Sequence, residues 1–257
     1  MSKLSLEVND NVATLTINSP PANALSTSIL KQLDEKLDEI EELNDVKVVI
    51  LKGEGRFFSA GADIKEFTTL QGASDYTSLS RKGQIIFDRM ESFHVPIIAA
   101  IHGAALGGGL ELAMACHIRI VSDKAKLGLP ELTLGIVPGF AGTQRLPQLV
   151  GTAKAYELLL TSDAVSGEEA ARIGLANQSV KEEALFTTAE QMAKKIASKS
   201  KPTITKVMEL VPYAKVGKFV EGTEKEAEAF GEVFKNEDAK EGISAFIEKR
   251  TPNFKDL

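Results

Sequence analysis

Two glutamates carry the clearest chemical signal in this sequence. Glu111 lies in Gly103-Ala-Ala-Leu-Gly-Gly-Gly-Leu-Glu-Leu-Ala-Met-Ala-Cys116, where almost every neighbour is small or apolar. Glu131 lies in Lys126-Leu-Gly-Leu-Pro-Glu-Leu-Thr-Leu-Gly-Ile-Val-Pro-Gly139, again an isolated acid among apolar residues. Desolvating an ionised carboxylate in such company is costly, and perturbed carboxyl groups cluster at functional sites. Small-residue loops accompany them. Gly107-Gly-Gly109 joins the apolar run Ile97–Ile101 to Leu110–Cys116, and a strand, glycine turn and helix start leave unpaired N–H groups pointing at one spot. Gly53-Glu-Gly-Arg-Phe-Phe-Ser-Ala-Gly-Ala-Asp-Ile-Lys-Glu66 is a second such loop. Two sources of N–H donors and two carboxyl groups suit a reaction that develops an oxyanion and moves a proton. A thioester carbonyl becoming an enolate is one. The same residues also admit a structural reading. The glycines then serve tight helix–strand packing, Glu111 completes a cap, Glu131 is a first-turn acid after Pro130, and Asp63 is an N-cap.

Other chemistries find no pattern. The three histidines, His94, His102 and His117, form no Ser-His-Asp or metal-ligand spacing, and Gly107-Gly-Gly109 lacks the GxGxxG fingerprint. Neither a metal nor a separate cofactor is expected. The single cysteine, Cys116, excludes an intrachain disulfide framework and fits a reducing compartment. Its neighbours suggest a buried, inert thiol. The net charge of −6 argues against non-specific attraction to nucleic acid or anionic membrane. No stretch is long and apolar enough to span a bilayer, and Met1-Ser-Lys-Leu-Ser-Leu-Glu lacks a signal-peptide hydrophobic region. A cytoplasmic location is the expectation.

The elements that must position these groups read as mixed α/β. Leu4–Val8 and Val12–Ile17 suggest a hairpin around Asn9-Asp10-Asn11. Ser26 can cap a helix through Leu43, with Ile29, Leu30, Leu33, Leu37 and Ile40 on one stripe. Val46–Lys52, Ile97–Ile101, Ile118–Val121 and Ala176–Val180 read as strands. Helices are expected over Leu79–Phe93, Leu110–Cys116, Thr152–Leu160 and after Ser166. Thr68–Ser80, polar and patternless, reads as a mobile flap. Arg145, in the glycine-rich turn Gly139–Pro147, suits a structural ion pair as well as an anion. Helical periodicity runs to Ser198, Ser-Lys-Ser-Lys-Pro202 interrupts it, and from Thr203 on only helices are expected, with polar breaks near Gly217 and Asn236, so the chain divides into residues 1–198 and 199–257.

Phe58-Ser-Ala-Gly-Ala-Asp-Ile-Lys-Glu66, His102–Cys116, Pro130–Gly139, Gly142-Thr-Gln-Arg-Leu146 and Ser244-Ala-Phe-Ile-Glu-Lys-Arg250 stand in order along nearly the whole chain. In these segments it resembles the crotonase (enoyl-CoA hydratase/isomerase) superfamily, and enoyl-CoA hydratases most. The resemblance implies an α/β fold, a spiral of ββα units with a C-terminal helical trimerisation region, assembled as trimers or dimers of trimers. It implies an acyl-CoA thioester substrate, with coenzyme A part of the substrate. Its oxyanion hole corresponds to the amides of Ala62 and Gly108, and its catalytic acids to Glu111 and Glu131. Substrate contacts correspond to Ala60, Ala62, Asp63, Ile64, Lys65, Gly108 and the Pro138-Gly139-Phe140 turn, with Lys249 near the CoA phosphates. Both glutamates together imply hydration of a trans-2-enoyl-CoA, as in fatty-acid β-oxidation. An enoyl-CoA Δ-isomerase or another acyl-CoA lyase is the alternative; an RNA-binding homologue is the non-enzymatic one. Phe140 departs from the small residue expected at its position and His117 from an acid. Phe140 is therefore expected to shape the acyl pocket.

Overall fold

The computed structural model describes residues 3–68 and 72–256. Strands β1 (Leu4–Asn9) and β2 (Val12–Ile17) form the expected antiparallel hairpin, with Asp10 and Asn11 in the left-handed region that the turn needs. Helix α1 (Thr27–Glu41) follows, and Ser26 Oγ accepts the N–H of Ile29 as its N-cap. Its five stripe residues are all at most 3% exposed. Burying each contributes about 1.5–3 kcal/mol. Strand β3 (Val48–Gly53) then pairs in parallel with β2 and with β4 (Ile97–Ile101). Strands β6 (Ile118–Ser122) and β9 (Gln178–Val180) complete a six-stranded sheet in the order β1-β2-β3-β4-β6-β9.

Strand β4 is apolar throughout, and β3 from Val48 to Leu51, because both faces are buried. Val49 and Leu51 of β3, with Ile97, Ala99 and Ile101 of β4, face the main core. Val48 and Ile50, with Ile98 and Ala100, face the other way, against Leu185, Ala189 and Ala193 of α8 (Leu185–Ala197).

A second sheet of three short strands contains β5 (Ala104–Leu106), β7 (Lys126–Gly128) and β8 (Val165–Ser166) in the order β5-β7-β8. Consecutive strands β4 and β5, then β6 and β7, alternate between the two sheets, which is the strand arrangement of the expected spiral. Helix α4 (Gly108–Ala115) leaves β5, and a single turn of 3₁₀ helix (Glu131–Leu134) follows β7. Helices α5 (Gly142–Val150), α6 (Thr152–Thr161) and α7 (Gly167–Arg172) continue the chain. Ser166 caps α7 through the N–H of Glu169.

The flap expectation is corrected. Residues 69–71 lie outside the described residues, but Ala73–Ser80 belongs to α3 (Ala73–Glu91), which starts six residues before the expected Leu79. Its early turns face solvent, so they carry no apolar stripe to read; burial begins at Gly83. The short α2 (Ile64–Phe67) precedes it. After Ser198 the described chain forms only helices: α9 (Lys201–Lys215), α10 (Phe219–Val233) and α11 (Glu237–Glu248). Helices α9 and α10 pack on each other, and a Cβ on Gly222 would stand 2.8 Å from Tyr213 Cβ. The tail returns to the body, where Asp256 pairs with buried Lys47 at 2.7 Å and accepts the N–H of Lys201 at 2.8 Å.

Candidate active site

The two small-residue loops meet because one is laid along β5. Ser59 N–H donates to Ala104 C=O at 3.2 Å, and Leu106 N–H to Ser59 C=O at 3.0 Å. Asn23 braces this loop from behind: its side-chain amide donates to the carbonyls of Glu54 and Phe57, and Ser59 Oγ donates to its C=O. Leu25 then pairs with the chain on either side of Ala62, donating to Gly61 C=O and accepting from Asp63 N–H. Ala62, between them, keeps its own N–H out of that pairing.

Across the gap, Gly107 adopts φ 52°, a left-handed conformation suited to glycine. Its C=O accepts from Leu110 and Glu111, starting α4, while Gly108 N–H is one of the unpaired first-turn donors. Among the described residues neither Ala62 N–H nor Gly108 N–H has a hydrogen-bond acceptor. The two groups are neighbours: a Cβ on Gly108 would lie 3.2 Å from Ala62 N, and one on Gly61 3.5 Å from Gly108 N.

Glu111 follows in the first turn of α4 and is 1% exposed. Its Oε1 accepts two N–H groups from the facing turn, Phe140 at 2.8 Å and Gly142 at 2.7 Å. Ala141, at φ 70°, reverses the chain so that both amides face the carboxyl. A Cβ on Gly142 would stand 2.9 Å from Glu111 Oε1, so only glycine leaves room for that bond. Burial pushes the Glu111 carboxyl up to about 7. The Gly142 and Phe140 amides and Arg145 act against the rise, while the charge of Glu131 adds to it.

Glu131 opens the 3₁₀ turn after Pro130 and is 8% exposed. Burial raises its carboxyl too, partly offset by its own N–H. Its Oε1 lies beside Gly107, 3.0 Å from where a Cβ would stand. Its Oε2 is buried without a hydrogen-bond partner. Gly107 therefore touches one acid and is followed by one of the unpaired amides. The arrangement offers two unspent donors beside two buried carboxyl groups whose proton affinity burial raises, which is what generating and quenching an enolate requires.

A family model described as enoyl-CoA hydratase/isomerase matches residues 7–257. The chain belongs to that family. It is 57% identical to a probable enoyl-CoA hydratase from Bacillus subtilis, over 99% of both chains. Identity to a short-chain-enoyl-CoA hydratase from Clostridium acetobutylicum is 42%, over 97% of this chain and 96% of that one. Among solved structures, an enoyl-CoA hydratase from Bacillus anthracis superposes with TM-score 0.95 at 36% identity, covering both chains fully.

The remaining residues named by the family resemblance are distributed as follows. Ala60 donates its N–H to Ala22 C=O. Asp63 is the N-cap of α2, accepting Lys65 N–H at 3.1 Å, and Ile64 and Lys65 are exposed at its start. Pro138 is buried against Gly142, and Gly139 C=O accepts from Ser80 and Gln84 of α3. Phe140 turns inward. It is 5% exposed, in edge-to-face contact with Phe87, and close enough to α3 that Gly83 has no room for a Cβ. It also stands 3.2 Å from a Cβ on Gly108, so one ring is both core and a wall beside the unpaired amides. Lys249 ends α11 in a left-handed conformation, and among the described residues no hydrogen bond or ion pair joins its side chain to either loop.

His117 is structural in its contacts. Its Nδ1 accepts Ile97 N–H at 2.9 Å, and burial first, then Arg119, lowers its pKa to about 4. Burial pushes the Cys116 thiol up to about 12, consistent with an inert thiol. Among the described residues no group of three His, Cys, Asp or Glu side chains converges as a metal site. Sequence reasoning did not find the brace at Asn23 and Ser59. Asn23 sits in a Pro-Pro-Ala-Asn break whose polar residues gave no hint of partners some thirty positions away.

Proposed function

We propose that the protein is an enoyl-CoA hydratase: it adds water across the trans-2 double bond of an enoyl-CoA thioester to give the 3-hydroxyacyl-CoA. The observation that carries the reading is the meeting of two unpaired amides, Ala62 and Gly108, with two buried glutamates. Names of relatives at 40–57% identity over nearly the whole chain support it.

In this mechanism the thioester oxygen rests between the two amides. Water, held by Glu111 and Glu131, attacks the β carbon. The π electrons move toward the carbonyl, and the amides stabilise the oxygen as it becomes anionic. Glu111 takes the water's proton, and Glu131 delivers one to Cα. The two acids share a single proton, since ionising both would set like charges together. Burial raises both carboxyls, Glu111 to about 7; the two N–H donors on Glu111 Oε1 support its carboxylate once the shared proton is on Glu131, whose Oε2 meets no donor. The nucleotide end of the substrate contacts the Ala62–Lys65 loop, with Lys249 at its phosphates.

The assay is hydration of crotonyl-CoA, followed by loss of the enoyl-thioester absorbance, beside a 3-enoyl-CoA. Turnover of the first is expected. Turnover of the 3-enoyl-CoA alone would replace the hydratase by the isomerase.

The protein acts as a homotrimer or dimer of trimers through its C-terminal helices. Phe219, Phe230 and Phe246 are 72%, 65% and 85% exposed in the single chain, an apolar surface that association would cover. Truncation after Ser198 should abolish the oligomer in light scattering; a soluble, active monomer would refute this role.

A further inference from the structure

The turn that holds Glu111 is itself held from the opposite side. Phe140 donates its N–H to Glu111, and its C=O accepts Arg145 Nη1 at 2.7 Å. Arg145 is 4% exposed, and its fork reaches α3: Nη2 donates to Asp88 at 2.6 Å and Nε to Glu91 Oε2 at 3.1 Å. The other oxygen of Glu91 pairs with Lys215, the last residue of α9. A continuous line of polar contacts therefore runs from the C-terminal helices through Glu91, Arg145 and Phe140 to Glu111. The turn needs such support, because Ala141 sits at φ 70° without being glycine, a conformation that persists where its surroundings impose it.

We propose that Arg145 is the positioning residue for Glu111, and that Lys215, through Glu91, makes the setting of that carboxyl depend on the seating of α9. The proposal rests on the hydratase reading. Arg145 acts twice. It fixes Phe140 and so the two N–H groups that the carboxylate uses, and its charge favours the ionised form of Glu111. The groups facing Glu111 are the amides of Phe140 and Gly142, Arg145 from α5, and Glu131 from the 3₁₀ turn. Of these, Arg145 is the one cation. Its own field is set by Asp88 and Glu91 on α3 and, beyond them, Lys215 on α9. An arginine that merely stabilises the fold would leave the proton affinity of Glu111 unmoved.

The test is kinetic and spectroscopic, on the full chain. In Arg145→Met, kcat should fall about 10–10²-fold with KM nearly unchanged, the scale expected when a reacting group is displaced by about 1 Å. The acid limb of the pH–kcat profile should move to higher pH, because Glu111 loses a cation and its fixed donors. Arg145→Lys keeps the charge but not the fork; it should restore the limb more than the rate. Lys215→Met should shift the limb the same way by less, since Arg145 remains. Carboxyl titration of Glu111, taken as a ¹³C NMR difference against Glu111→Gln, should rise in Arg145→Met whatever the turnover. A folded Arg145→Met protein with an unmoved limb and unmoved titration overturns the proposal. If that variant does not fold, Asp88→Asn and Lys215→Met decide by the same two readouts. Wild-type protein that fails to hydrate crotonyl-CoA overturns the hydratase reading instead, and the titration still reports on Arg145.

Discussion

Replacing Glu111 by glutamine preserves shape and leaves an oxygen for the N–H groups of Phe140 and Gly142, but removes the proposed proton acceptor. The wild-type carboxyl sits at about 7 against an ordinary 4.5. Each tenfold in proton affinity is worth about 1.4 kcal/mol, so full ionisation costs the folded state about 3 kcal/mol. The sign follows from linkage. Between pH 4.5 and 7 the folded protein binds this proton more tightly than the unfolded chain, so wild-type stability falls as pH rises through that window. Below 4.5 the cost is absent; above 7 it is complete. Glutamine carries no such cost. The stability of Glu111→Gln relative to wild type should therefore shift in the variant's favour by about 3 kcal/mol between pH 4 and pH 8. Activity should move the other way, with kcat falling about 10²–10⁴-fold, the usual worth of a general base. Denaturant melts at the two pH values and crotonyl-CoA kinetics measure both. Wild-type turnover in the folded variant would remove Glu111 from the chemistry. A stability difference that ignores pH would mean that the carboxyl is not desolvated.

Glu131→Gln should also cost about 10²–10⁴ in kcat, and the double variant should lose far less than the product of the two, as residues sharing one task do; additive losses would argue for separate roles. Gly108→Val brings side-chain atoms against Ala62 N and Phe140, so kcat should fall about 10²–10³-fold, the scale for losing one oxyanion donor. An unaltered rate in the folded variant would make Gly108 a packing glycine. Phe140→Ala should cost about 3–5 kcal/mol in a denaturant melt because the ring is core. It should also change the kcat/KM ratio between short and long acyl-CoA chains, and an identical profile would place the ring outside the acyl pocket.

Local patterns made much of this structure legible beforehand. Ser26 before an apolar stripe marked α1, and the apolar runs Val48–Leu51 and Ile97–Ile101 marked β3 and β4, because buried parallel strands have no polar face to show. Glu111 and Glu131 stood out because a charge is rare in so apolar a setting. What remained hidden depends on partners distant in the chain. Strand β5 has three residues and exists through β7 and the Ser59 loop. The start of α3 is wet on all sides and so lacks periodicity. The fate of Arg145 was undecidable until Asp88 and Glu91 arrived from α3. Phe140 was noticed for its bulk, but its inward turn is set by the space over Gly83.

The donors that meet the Glu111 carboxyl, Phe140 and Gly142, belong to the main chain, and so do the unpaired N–H groups of Ala62 and Gly108 proposed to meet the oxyanion. The genetic code has little grip on such groups, since changing a codon alters what surrounds a peptide bond and leaves the bond. An alanine scan is silent at Ala62 and, at Phe140, removes a ring while keeping the donor. Homologous sites can therefore drift in side-chain identity while the electrostatic environment stays constant, provided the backbone path is kept. Semisynthesis reaches what mutagenesis does not: an ester in place of the amide at residue 62 or 108 deletes one donor and leaves every side chain as it was.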